Sequence, residues 1–451
     1  MLVLRGVLCV AVMTWLFAGL SAEAGMQKKL APLAPRSVTL GADYSQLKIA
    51  PPATGLYLGQ YEWQPGDIAT MEAAAGMHTT HYAANRGHWS IGYDGAGNPH
   101  LDLAQANAAW DAGRAIVVQA FNTYAGADAE HPVGFTVDKL LRGQYDAALH
   151  TFALELKAFG KPVFFQIGRE PNGVGGDYFG GFGLNGDKSL AWAIANNAAL
   201  NKFTPPARPA GAPANLYTGV ASNTVCDGAE RLKAAQRYYH DFFERRENLH
   251  FLTWDTMGWA VLQVDQTLWD SQDYPAAQQT YAKQVLDSCQ DFKNMYPGDA
   301  YVDWVSINWY MLDYYMSDWP GFTQDYILSI DSWFQALNKT MAQVLTVAAT
   351  KPVMFTELGF PDGRNPDSAY AALKVQYGLQ GVLDYYPQIK AVSFWANHPS
   401  WMVPGVFPYD CLIRPNTQQG QALHAVIVTN PGKFKSCISL TDGSRQPNCV
   451  E

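Results

Sequence analysis

The sequence predicts an α/β chain folded as one (β/α)8 barrel with a long insertion after the fourth strand. Three observations predict it. Eight short apolar runs alternate along the chain with longer segments of helical period, the pattern of a parallel sheet with crossover helices. Two of the runs open with Lys-Pro and end in a carboxylate: Lys161-Pro-Val-Phe-Phe-Gln-Ile-Gly-Arg-Glu170-Pro-Asn-Gly and Lys351-Pro-Val-Met-Phe-Thr-Glu357-Leu-Gly-Phe-Pro. Such runs, bounded by Pro and Gly, suit strands buried on both faces, and the carboxyl ends of barrel strands are where that fold keeps its chemistry. Finally, 451 residues exceed a plain barrel of ~250, and the excess is localised.

The strands are expected at residues 55–60, 79–83, 115–121, 162–167, 249–254, 304–308, 352–356 and 391–395. Each is a brief apolar stretch such as Ala115-Ile-Val-Val or Ala391-Val-Ser-Phe-Trp395. The clearest helical patterns between them lie at 145–159, 229–246, 276–295, 332–349 and 368–385. The largest excursion, 171–216, follows the fourth strand. It opens with Gly173, Gly175, Gly176, Gly180, Gly181, Gly183 and Gly186, interleaved with Tyr178, Phe179 and Phe182. We read it as an ordered cleft wall rather than a loose loop, because long loops on this face of a barrel usually carry function. No linker, solenoid-period repeat or low-complexity tract marks a second domain. The expected organisation is a signal peptide at 1–24, an N-terminal extension at 25–50, the catalytic barrel at 51–430 and a C-terminal tail at 431–451.

An apolar content of 48% with 13% aromatic residues excludes a disordered chain. Residues 1–24 have the form of an export signal: Arg5 in the n-region, an apolar stretch from Val7 to Leu20, and Ala22-Glu-Ala24 as a small-x-small cleavage site. The apolar stretch is short for a membrane span, so a secreted or periplasmic protein is expected, with no membrane association once the signal is removed. The net charge of −9 is unchanged by that removal, since Arg5 and Glu23 leave together. It argues against nucleic acid or an anionic membrane as partner, both of which need clustered Lys and Arg. Five cysteines remain: Cys226, Cys289, Cys411, Cys437 and Cys449. Export permits disulfides, and Cys437 with Cys449 would close a small loop tying down the tail. The odd count leaves at least one thiol without an intramolecular partner. His78-Thr-Thr-His81 lacks the glutamate base of a zincin helix, so neither metal nor cofactor is expected; His81 or His88 is instead a candidate to line the cleft. A monomer is expected.

Two carboxylates on different strands of one barrel are the minimum equipment for cleaving a glycosidic bond. The surrounding motifs sharpen this. Tyr296-Pro-Gly-Asp299-Ala-Tyr-Val-Asp303-Trp-Val-Ser-Ile-Asn308-Trp-Tyr310 resembles the entry into the sixth strand of clan A glycoside hydrolases, particularly family 26, the β-mannanase group. Arg169-Glu170-Pro-Asn172-Gly resembles a blend of the clan's Asn-Glu-Pro and the family's His-Glu-Met-Asn-Gly at the fourth strand. Thr356-Glu357-Leu-Gly359 resembles the seventh-strand nucleophile motif, and Ser393-Phe-Trp395 the eighth-strand end, where a Trp commonly floors the sugar site. The resemblance spans about residues 55–428; its Tyr-Pro-Gly-Asp run is the most specific piece.

The resemblance implies a retaining double displacement on a neutral β-linked polysaccharide or oligosaccharide, mannan before cellulose or xylan. Glu357 would be the nucleophile and Glu170 the acid/base, with their carboxyls ~5–5.5 Å apart. Glu170 should then have a raised pKa from desolvation and its negative neighbour, while Glu357 stays ionised with a donor such as the Tyr310 hydroxyl. Arg169, Asn172, Trp254, Asn308, Tyr310 and Trp395 are the candidate substrate-binding residues. Trp254 serves equally well as filler, and Asn308 as a satisfied core amide. Arg169 departs from the pattern, because clan members place Asn or His immediately before the acid. Arginine can donate to a sugar 2-hydroxyl, but its fixed charge also favours ionised Glu170. Either Arg169 turns to another carboxylate or the site has changed use. That second possibility keeps open a non-catalytic carbohydrate-binding barrel derived from such an enzyme.

Overall fold

The computed structural model describes residues 43–62, 66–84, 99–120, 123–124, 135–167, 227–256, 259–261, 291–311, 329–361, 368–396 and 411–449. The expected export signal, Arg169, Glu170, Asn172, the 171–216 excursion, His88, Cys226, Cys289 and most of the helix expected at 276–295 lie outside the described residues.

Eight strands form the frame: β1 (Leu56–Glu62), β2 (His81–Ala84), β3 (Ala115–Ala120), β4 (Val163–Ile167), β5 (Leu252–Asp255), β6 (Val305–Tyr310), β7 (Val353–Gly359) and β8 (Ile389–Trp395). They pair in parallel in the row β5-β4-β3-β2-β1-β8-β7-β6. The two ends of this row are consecutive in the chain. Asp255 at the end of β5 makes a parallel bridge to Trp304, just before β6, and the Trp304 and Asp303 N–H groups both donate to the Trp254 carbonyl. The short strand Trp259–Ala260 then pairs with Ile307 and Asn308.

Helices connect these strands: α1 (Asp67–Ala75), α2 (Leu103–Asp111), α3 (Asp146–Phe159), α4 (Asp227–His240), α5 (Ile330–Val347), α6 (Ala369–Tyr385) and, after β8, α7 (Gln418–Thr429). The last three start where the sequence supplies hydroxyl caps. Ser329, Ser368 and Thr417 accept from the N–H groups of Ser332, Ala371 and Gly420, which satisfies donors that a helix start otherwise leaves unpaired. The helix expected at 229–246 is α-helical only to His240; Asp241–Arg246 widens into a π-helix. There Arg245 and Arg246 both reach the buried carboxylate of Asp241, at 2.6 and 3.2 Å.

Strand alternation sorts side chains to two faces. Leu56, Leu58, Val118, Phe165, Trp254, Trp309, Phe355 and Leu358 join the large apolar cluster beneath the helices. Tyr57, Tyr61, Val117, Phe164, Trp304, Met354 and Ala391 form a second cluster on the inner face. Chain ends seal the amino-terminal side of that face: Ile49–Ala50 pairs antiparallel with Ser439–Leu440, and Ile49, Ile438 and Leu440 pack with the inner cluster. The Cys437–Cys449 disulfide fastens this segment, with Cα atoms 5.2 Å apart. The described parts of the expected extension and tail, 43–50 and 431–449, are thus joined to each other and to the sheet, because their apolar residues have the base of the inner face to cover. Among the described residues, no helix is long and apolar enough to cross a membrane.

Candidate active site

β6 and β7 both run further than the sequence suggested, to Tyr310 and Gly359, and the extra length carries the polar residues. The β6–β7 ladder pairs Ile307 with Phe355, then Asn308 with Glu357. Against β8, Phe355 faces Val392 and Leu358 faces Phe394. Thr356–Glu357 therefore contains one residue more than its neighbours, a β-bulge. The consequence is geometric. Strict alternation would send Glu357 to the helix side with Phe355; the bulge keeps Leu358 there instead and re-aims Glu357 to the inner face. Ser306, Asn308 and Tyr310 on β6, with Trp304 just before it, share that face by ordinary period-two alternation.

Glu357 is 3% exposed, so its carboxylate requires protein partners. The Tyr310 hydroxyl donates to Glu357 Oε2 at 2.7 Å, and the Thr356 hydroxyl donates to Asn308 Oδ1 at 2.8 Å. Gly359 makes the first contact possible: a Cβ there would lie 2.5 Å from the Tyr310 ring. Trp395, at the end of β8, is opposite Tyr61 in register. Its ring centroid lies 4.6 Å from that of Tyr61 and, edge-on, 6.4 Å from that of Tyr310. Glu357, Tyr310, Asn308 and Trp395 therefore gather at one end of the inner face. A buried carboxylate oriented by a phenol beside a partly buried indole can act as a nucleophile or base on a ligand lying along the aromatic wall.

Trp254 is not part of this group. Its neighbours Thr253 and Asp255 face inward, so Trp254 faces the helices. There it packs on Phe165 and Phe243, and its indole N–H donates to Glu244 Oε2 at 3.1 Å. His81 lies deeper than the cleft lining considered from sequence. It is wholly buried, with Nε2 2.7 Å from Ser393 Oγ and Nδ1 3.0 Å from Thr80 Oγ1. Burial lowers its pKa to about 3, so the ring is neutral. Gly59 on β1 leaves the room the imidazole occupies, since any Cβ there would overlap it.

A second polar group escaped the sequence reading. The Tyr61 hydroxyl donates to Gln119 Oε1, Gln119 Nε2 donates to Gln166 Oε1 at 2.6 Å, and Gln166 Nε2 donates to the Thr256 carbonyl at 3.1 Å. Beside it, the Ser306 hydroxyl donates to Asp255 Oδ2. The available signal was positional: Gln119, Gln166 and Asp255 are each an inward polar residue near the carboxyl end of an otherwise apolar strand.

Burial pushes the Asp255 carboxyl well above the usual carboxylate range, with the Asp303 charge adding to the rise; donation from Ser306 and the Thr256 N–H is outweighed. A group whose folded pKa is raised stabilises fully below its unfolded pKa, and that contribution is lost as pH rises toward the folded value. Asp255→Asn keeps the shape and removes the titration. Its stability relative to wild type, followed as the difference in melting temperature, is expected to rise as pH climbs above the ordinary aspartate range, on the scale of ~1.4 kcal/mol per pH unit while the folded Asp255 keeps its proton. A difference that stays constant over that climb would contradict a raised Asp255.

No protein-family model matches the sequence, and no curated protein matches it. Among solved structures, similarity is found to the catalytic domain of the Bacillus sp. JAMB-750 GH26 endo-β-1,4-mannanase, at 13% identity over 84% of this chain and 87% of that one, with a TM-score of 0.48. The Bacillus subtilis mannanase BCman is similar at 15% identity over 82% and 85%, with a TM-score of 0.41. The GH26 domain of a Prevotella bryantii endo-β-mannanase/endo-β-glucanase is similar at 13% identity over 87% and 92%, with a TM-score of 0.41.

Proposed function

We propose that this chain is a secreted, retaining β-glycoside hydrolase that cuts a neutral β-linked polysaccharide internally, β-mannan before β-glucan or xylan. The observation that carries the reading is the bulge that turns Glu357 inward onto the Tyr310 hydroxyl, next to Trp395. Bulges are over-represented next to active sites, where they re-aim a side chain. In this reading the eight strands close into a (β/α)8 barrel through the Asp255–Trp304 bridge and the 259–260 pairing. Glu357 is the nucleophile, Tyr310 holds its attacking geometry, and the Trp395 indole takes an apolar sugar face.

Glu170 stands three residues beyond the end of β4 in sequence, at the carboxyl end of a strand like Glu357, and serves as acid/base. It protonates the leaving oxygen in the first step and takes a proton from water in the second. Asn308, Asn172 and Arg169 are assigned to sugar hydroxyls. The uncharged Tyr61–Gln119–Gln166 chain suits a neutral polyhydroxyl ligand better than a polyuronate. The export signal at residues 1–24 and the motif resemblance to family 26 support secretion and the mannan preference respectively.

A hydrolysis screen over soluble mannan, cellulose, xylan and mixed-linkage glucan tests the assignment. Internal cutting is expected to drop the viscosity of a soluble mannan well before many reducing ends accumulate. Release of monosaccharide alone from the outset would refute an open cleft, and no turnover of any of the four would favour the non-catalytic alternative.

A further inference from the structure

Lys374, on α6, is fully buried. Its ammonium donates to the carbonyls of Met311 at 3.0 Å and Pro361 at 2.9 Å, with Nζ 4.8 Å from the Tyr370 ring centroid. Both carbonyls belong to the ends of site-bearing strands. Met311 directly follows Tyr310, and Pro361 lies four residues beyond Glu357. The Met311 N–H still donates to the Gly359 carbonyl at 2.9 Å, so the ammonium bridges the two chains where their ladder stops. Gln419 on α7 holds the intervening Phe360 carbonyl at 2.7 Å. Gly378, one turn along α6, lets the strand ends pack close: a Cβ there would meet the Phe360 ring at 2.5 Å and Met311 Sδ at 3.3 Å.

Burying an ammonium carries a desolvation cost that its partners must offset, and an apolar side chain would fill this space without that cost. What lysine adds is a pair of charge-assisted hydrogen bonds to two different strand ends. On the inner side, the Tyr310 ring rests against Gly359, so its place depends on where the end of β7 is held. We propose that Lys374 is a positioning residue for the Tyr310–Glu357 pair: by tying Met311 to Pro361 it fixes the spacing at which the Tyr310 hydroxyl reaches Glu357. The kinetic consequence rests on the reading of Glu357 as nucleophile; the positional claim does not.

The test is the titration of the Glu357 side chain in the full chain. It is followed by 13C NMR of δ-13C-labelled glutamate, with the resonance identified by its loss in Glu357→Gln. Removing a donor to a carboxylate raises its midpoint. Tyr310→Phe is expected to move it up by about one pH unit, the scale of one hydrogen bond to a charged group. Lys374→Met should move it in the same direction by most of that amount. The double variant should go no further than Tyr310→Phe alone, because both changes remove one interaction. Lys374→Arg, which keeps the donors, should recover part of the shift. An unmoved midpoint in folded Lys374→Met, or shifts that add in the double variant, would overturn the proposal. If Lys374→Met does not fold, Lys374→Gln supplies the same comparison through an amide that reaches one carbonyl. Where hydrolysis is measurable, kcat should fall with KM little changed. A wild type that cleaves no polysaccharide would defeat the hydrolase reading, while the titration would still decide the role of Lys374.

Discussion

Glu357→Ala is expected to lose polysaccharide hydrolysis by about ten-thousand-fold or more, the scale on which removal of a nucleophile acts. It should regain turnover with azide, yielding a glycosyl azide of inverted configuration. The reason is spatial. Glu357 is buried between β6 and β8 with Tyr310 directed at its oxygen, and truncation leaves room there for a small anion. Azide entering from that side attacks the anomeric carbon once, and no second displacement restores the β configuration. Measuring residual rate and product configuration in the same samples separates this outcome from simple unfolding. Near wild-type hydrolysis in a folded Glu357→Ala protein would remove the assignment.

Glu170→Ala should cost about 10²–10⁴-fold on a natural polysaccharide, the range of general acid catalysis. Its defect should shrink on aryl glycosides with good leaving groups, which need little protonation to depart. Glu357→Ala should show no such dependence, since without its nucleophile every substrate fails alike. A Glu170→Ala defect equal on good and poor leaving groups would argue that Glu170 is not the acid. The neighbouring Arg169 makes this comparison informative, because a fixed positive charge beside an acid opposes the raised pKa that the acid needs.

Much of this architecture was legible in the sequence, for identifiable reasons. Strands such as Val163–Ile167 and Val353–Gly359 are buried along their whole length, so they open as apolar runs, Val-Phe-Phe and Val-Met-Phe, that read as buried strands. The helices α3, α5 and α6 carry an apolar stripe at helical period. The ends of β6 and β7 were harder to read, because their last residues are polar and resemble loop. Only the ladder reveals that Glu357 still pairs with Asn308. The bulge has no local signature in Phe-Thr-Glu-Leu-Gly. It follows from Phe355 and Leu358 both requiring the helix-side core, a constraint set by the packed helices. Trp254 illustrates the converse: a tryptophan ending a strand was visible, but its face depended on a strand boundary one residue further on. Gln119 and Gln166 were overlooked because a lone polar residue in an apolar run points nowhere until its neighbours across the sheet are known. The C-terminal segment looked like a polar tail because it has few apolar residues; of these, Ile438 and Leu440 go to the base of the inner face and Phe434 to the helix-side core.

The central claim is that Glu357 and Glu170 work as a close pair in a double displacement. Proton NMR of the anomeric signals during the first minutes of hydrolysis tests it most directly, before mutarotation mixes the products. Two carboxyls ~5–5.5 Å apart predict that the first-formed reducing end is β, as in the substrate. A first-formed α anomer would contradict the account, since it requires the wider carboxylate separation that leaves room for an attacking water.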